Sequence, residues 1–148
     1  MPDVALPDHA YVPGQTARHD ESVFAVYHDS VPPDIAPADL TATLAWQAGL
    51  IFYDKGYFWE AHEVLEPVWM ATPEDSAAHQ LVQGIIQLAN AALKAKMKRS
   101  NAALRLCAKA RDHLRAARSA GGDRVMEQPL SVWIDRVDSL EALLEGWQ

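Results

Sequence analysis

The stretch Gly56-Tyr57-Phe58-Trp59-Glu60-Ala61-His62-Glu63-Val64-Leu65-Glu66-Pro67-Val68-Trp69 decides how this chain is read. It sets one imidazole and three carboxylates among aromatic and aliphatic residues at helical spacing. On a helix of about 100° per residue, His62 and Glu66 lie about 40° apart, with Trp59 beside them and Glu63 further round. Phe58, Ala61, Leu65, Val68 and Trp69 form the adjoining apolar face, so His62 sits on the border between core and carboxylates. Charges on such a border are costly unless paired. Two readings compete. In one, Glu63 or Glu66 accepts a hydrogen bond from His62 and the pair fixes how two helices pack; His62 then matters greatly to stability and Glu60 far less. In the other, His62 and Glu66 are metal ligands at i, i+4 and Glu63 activates a bound water, as in a metal-dependent hydrolase. A third protein ligand is needed for that, and only His79, Gln83, Gln87 or the Arg18-His19 pair offer themselves. Arginine and amides are poor zinc ligands, so neither a tightly bound metal nor a cofactor is expected.

The signature is flanked by further helical patterns. Leu40, Leu44, Ala48, Ile51 and Phe52 predict a first helix from about Ala38 to Lys55, ended by Gly56. Pro67 falls inside the signature helix and predicts a bend. Thr72-Pro73-Glu74-Asp75 reads as the start of a third helix over 73–98. Ser100 or Asn101 caps a fourth that stops at Gly121-Gly122. A last helix near 131–146 buries Trp133, Val137, Leu140 and Leu144, with Trp147 beyond. No run alternates as a strand. Six of the nine prolines fall within residues 1–37, which predicts an extended arm over 1–36 with turns at Pro13-Gly14 and Pro32-Pro33. Tyr11, Val12, Phe24, Val26 and Tyr27 give that arm apolar surface to lay on the bundle.

The third helix carries a second polar pattern. Gln83, Gln87, Asn90 and Lys94 lie within about 40° of one direction, and apolar residues and alanines occupy nearly everything else. This stripe is either the helix's solvent edge or one wall of a polar pocket facing the signature helix. The second arrangement gathers Trp59, His62, Glu63, Glu66, Trp69, Gln83, Gln87 and Asn90 around a small polar or cationic ligand.

Composition bounds the remaining choices. With 148 residues, 49% hydrophobic and 22% charged, the chain suits one ordinary globular domain. No run approaches the ~18 apolar residues a membrane helix needs, no signal-peptide pattern opens the chain, and a cytoplasmic location without membrane attachment is expected. Cys107 stands alone among alanines and reads as a small core residue. Residues 94–118 hold nine of the thirteen basic side chains against one acid, Asp112, a formal +8; with −7 overall, the rest of the chain carries −15. Pairing of these cations with Glu60, Glu63, Glu66, Glu74 and Asp75, within the chain or in a homo-oligomer, or simply a solvated cationic face, is one reading. An anion- or nucleic-acid-binding module through 94–118 is another. No aromatic residue interleaves the cations and the pI is about 5.2, so nucleic acid is not the expected partner.

The aromatic-Glu-Ala-His-Glu-x-x-Glu-x-x-Trp core resembles the signature of the family catalogued as domain of unknown function number 309. The likeness continues through Gln83-Gly84-Ile85-Ile86-Gln87-Leu88-Ala89 and Ala92-Leu93 to Asn101-Ala102-Ala103. Ser100 replaces the usual Gly before Asn101, and Lys94 stands where a His is common. Tyr11-Val12-Pro13-Gly14 with Arg18-His19 is similar to an N-terminal extension of some members. The resemblance implies a small all-helical bundle and lends no activity. The sequence thus predicts an all-α, single-domain bundle of about five helices over 37–148, preceded by the arm. Its His/Glu cluster is expected to serve packing or self-association, with small-ligand binding as an extension.

Overall fold

The computed structural model describes residues 4–146. Its helices are α1 (Ala25–Asp29), α2 (Leu44–Asp54), α3 (Phe58–Ala71), α4 (Ala77–Lys96), α5 (Ser100–Gly121) and α6 (Leu130–Glu145), with 3-10 turns at Glu21–Phe24 and Pro37–Ala42. The expected all-α bundle is therefore present as five long helices and the short α1. One small hairpin joins them, β1 (Arg124–Val125) with β2 (Gln128–Pro129).

Helix α4 is the axis of the core. Leu81, Val82, Ile85, Leu88, Ala89 and Ala91 are buried along it, and it packs most extensively on α5, then on α3, with α6 beyond. Close approach to α5 needs Gly84, because a methyl group there would lie 2.8 Å from the Leu114 side chain. The second face of α5 holds α6 through Arg111, whose guanidinium binds Asp138 at 2.7 Å and Glu141 at 3.0 Å. Cys107 is fully enclosed, and burial pushes its thiol up to about 11, in keeping with a core residue.

The short link between α2 and α3 follows from Gly56. At φ +84° it lets its own N–H reach Tyr53 O at 3.1 Å and the N–H of Tyr57 reach Phe52 O at 2.8 Å, which satisfies the last carbonyls of α2 and turns the chain at once into α3. The link from α4 to α5 has the same geometry with Lys98 at φ +61°, the N–H groups of Lys98 and Arg99 reaching Ala95 O and Lys94 O.

Several boundaries differ from the sequence reading. The first helix is broken at Thr43, whose extended backbone (ψ 148°) frees its hydroxyl to cap Trp46 N–H. Thr72 closes α3 instead of opening α4; Ser76 caps α4 through His79 N–H. Neither Ser100 nor Asn101 caps α5, which starts at Ser100 behind Arg99 with no side-chain cap. The hairpin escaped notice because its turn residues, Met126 and Glu127, sit at φ +48° and +64° without the Gly or Asn that normally announces such a turn. Trp133 and Val137 are buried in α6 as expected; Trp147 lies outside the described residues. The arm packs on the bundle through Val12, Phe24 and Tyr27, whereas Val26 is exposed.

His113 on α5 lies with Nδ1 2.7 Å from Gln80 Oε1 on α4. Burial, chiefly, holds this imidazole below its usual 6.5, helped by His79 and Lys109 and opposed by Asp112. A depressed value means that the fold favours the neutral ring. The corresponding stability is complete above about 6.5 and is lost as pH falls through the lower, folded value. Urea midpoints of the wild type should fall on acidification from about pH 7.5 to 5, and His113→Gln should flatten that fall; identical slopes would remove His113 as a source of acid lability.

Candidate functional site

The first polar position of the signature helix, and not its centre, is where the charge is buried. Glu60 is fully enclosed. Its Oε2 accepts the backbone N–H of Tyr11 at 2.7 Å and the Nε2–H of His19 at 2.6 Å, both from the arm. A carboxylate only accepts, so Nε2 carries the proton and, in the neutral ring, Nδ1 keeps the lone pair. The other carboxylate oxygen, Oε1, is buried and has no hydrogen-bond partner among the described residues. Around this pair the arm builds an aromatic wall: Trp59 meets Tyr11, Phe24 and His19 at centroid distances of 5.2, 5.6 and 6.2 Å.

A second arm contact depends on Pro67. Lacking an N–H, Pro67 leaves the carbonyl of Glu63 without its usual partner four residues on. His28 on α1 fills that role, with Nε2 3.2 Å from Glu63 O and 3.5 Å from Glu63 Oε1. The helix itself runs on through Pro67 to Ala71. Between the two contacts lies a cleft of about 430 Å³, with His19, His28 and Trp59 in its wall. Asp20, Asp29 and Glu63 give its lining a negative bias, against Arg18. The Asp20 carboxyl sits below its usual range because it accepts the Ser22 backbone N–H and, second, the Ser22 hydroxyl.

The residues picked from sequence divide into three groups. Trp59 and Glu63 line this cleft. His62 and Glu66 approach each other at 3.5 Å with side chains 28% and 53% exposed, so the pair is partly open to solvent, although His62 Nδ1 is itself enclosed without a partner among the described residues. Trp69 instead stacks on His79 at 4.7 Å; His79 donates from Nδ1 to the Thr72 hydroxyl at 2.8 Å, which in turn donates to Trp69 O. Gln83, Gln87 and Asn90 are half-buried along α4. None is hydrogen-bonded to the signature cluster among the described residues, and none lines the cleft. Of the eight residues in the pocket alternative, Trp59 and Glu63 thus share the cleft with the arm, while Trp69 meets α4 through His79. Reasoning from sequence missed Glu60, His19 and Tyr11 as partners; only the arm's Arg18-His19 likeness pointed toward them.

Two alternatives raised by the sequence can be placed on the structure. Among the described residues no three His, Cys, Asp or Glu side chains converge as a metal site; His62 and Glu66 lie on one helix with no third ligand at hand. The basic segment does not pair with Glu60, Glu63, Glu66, Glu74 or Asp75 within the chain. Arg111 binds α6, Lys96 reaches Gly56 O and the Phe58 ring, and Arg105, Lys109 and Arg115 stand exposed on α5. A larger, shallower cleft of about 540 Å³ beside Tyr53 and Phe58 contains no imidazole, and its Arg136 is held by Asp54 and stacked on Trp133.

The order of burial fixes an order of energetic cost. Removing one member of a buried pair leaves the other unpaired and costs about 3–5 kcal/mol, whereas an exposed pair contributes about 0–1 kcal/mol. Glu60→Ala should still leave a polar gap in the core, with His19→Ala as severe, and His62→Ala should stay within about 1 kcal/mol of wild type. Denaturant titrations in which His62→Ala is the costlier change would reverse this assignment.

No curated protein and no solved structure is similar enough to the chain to count as a match. Residues 46–106, from within α2 to the start of α5, match the model of the family described as Domain of unknown function (DUF309), the family that the signature resembles.

Proposed function

We propose that this protein is a small-ligand-binding domain whose N-terminal arm, latched to the signature helix, forms a cleft for a compact molecule bearing a positive charge. The observation that supports this reading most is the cleft's lining. Trp59 offers an aromatic ring, and Asp20, Glu21, Asp29 and Glu63 line the same cleft against the single Arg18, a combination that favours ammonium and guanidinium groups. The fully buried Glu60 acts at one remove, by holding the arm that supplies Asp20, His28 and Asp29.

Titration with tetramethylammonium, agmatine and inorganic phosphate, followed by tryptophan fluorescence and by amide chemical shifts, tests this. The two cations should perturb Trp59 and the residues of α1, saturably and in competition with each other, and phosphate should not. Trp59→Phe should remove the fluorescence response. Perturbation by phosphate alone, centred on α5, would replace this reading with an anion-binding one.

A further inference from the structure

The fold places His19 between a buried acid and a cleft. Its Nε2 is held by a fully buried carboxylate at 2.6 Å, and that carboxylate is itself aimed by the Tyr11 N–H at 2.7 Å. The remaining ring nitrogen, Nδ1, has no partner among the described side chains, yet it is not among the enclosed atoms that lack one. It is therefore not wholly enclosed, although the side chain is only 6% exposed and the His9 ring packs against it at 4.6 Å. His19 also borders the cleft. A carboxylate that fixes one nitrogen of an imidazole bordering a cleft, while the other nitrogen is unpaired, is the arrangement that an oriented general base requires.

We propose that Glu60 and His19 form a proton-transfer dyad, with His19 Nδ1 as the base, hydrolysing small esters that carry an ammonium group in the cleft. The proposal rests on the cation-binding reading of that cleft. A water molecule between Nδ1 and the ester carbonyl attacks the acyl carbon as its proton passes to Nδ1. The new carbon–oxygen bond yields a tetrahedral oxyanion, and Arg18 is the cation in the lining able to face it. When the bond to the alcohol breaks, the imidazolium returns the proton to the leaving oxygen. His19 ends neutral, one ester and one water having become an acid and an alcohol, and nothing else is consumed. Glu60 orients the ring and stabilises its charged form without touching substrate, which makes it a positioning residue. His19 alone is catalytic.

The test uses the full chain with the p-nitrophenyl esters of glycine and of acetic acid, which differ in the ammonium group. The glycine ester should be hydrolysed saturably and with the higher kcat/KM. Loss of the base should fall on kcat and leave KM nearly unchanged. His19→Ala and Glu60→Gln should each lower kcat/KM about a hundredfold or more, whereas His62→Ala, which removes an imidazole outside the cleft, should not. Should His19→Ala fail to fold, Glu60→Gln, which keeps a hydrogen-bond acceptor, still decides through its separate effects on kcat and KM. Saturable binding of the glycine ester with turnover no faster than free imidazole overturns the dyad and leaves the cation cleft standing. Turnover that depends on His19 but is equal for both esters overturns the ammonium specificity and, with it, the cation reading. A rate unchanged in Glu60→Gln, or lost equally in His62→Ala, overturns the proposal outright.

Discussion

A carboxylate sealed inside a helical bundle must be paired, and Glu60 is paired by atoms some forty and fifty residues away in the chain. Much of the molecule's organisation follows from that constraint. Tyr11 and His19 must lie over α3, so the proline-rich arm cannot trail free; it crosses the signature helix and brings Val12, Phe24 and Tyr27 into the core. Trp59, one residue before Glu60, then finds three rings of the arm around it. A buried pair of this kind adds little net stability over an apolar substitute, but it makes any other arm position costly, because one charge would be left alone. Its effect is to select one arrangement of the arm.

Pro67 applies the same logic through the backbone. By freeing the Glu63 carbonyl it creates an acceptor on the surface of α3, and His28 answers it. Two histidines of the arm thus read two features of one helix, a buried acid and an unpartnered carbonyl, and the cleft is the space between those two contacts. The remainder of the bundle supplies rigidity behind this face. Helix α4 is buried along most of its length, and Arg111 fastens α6 to α5 on the far side. Acidic residues gather at the arm and the cleft, and unpaired cations on α5, so the two sides of the bundle present opposite charge to solvent.

The helices were legible because their faces repeat: Leu81, Val82, Ile85 and Leu88, or Trp133 and Val137, carry a period that only a buried helix needs. Gly56 and Gly121-Gly122 marked real ends for the same local reason. Glu60 was not legible. Read alone, α3 has one apolar face through Phe58, Ala61, Leu65 and Val68, and Glu60 sits on its flank as an ordinary charged residue. It becomes interior only when a distant segment covers that flank, and no local period encodes such a cover. His62 misled for the complementary reason, since its i, i+4 spacing to Glu66 is real but occurs on a side of the helix that water still reaches. The polar stripe of α4 could be read from its spacing, but the partner it faces could not, because spacing along one helix says nothing of which neighbour packs on it; His79 of that stripe stacks on Trp69.

The claim that Glu60 holds the arm is tested most directly by native-state hydrogen exchange at a single amide. The N–H of Tyr11 belongs to no helix or strand and is bonded only to the Glu60 side chain. It should exchange far more slowly than the amides of Gly14 and Ala17 in the same arm, and Glu60→Ala should erase that difference while the amides of α4 stay protected. Exchange of Tyr11 as fast as its exposed neighbours in the wild type would contradict the account.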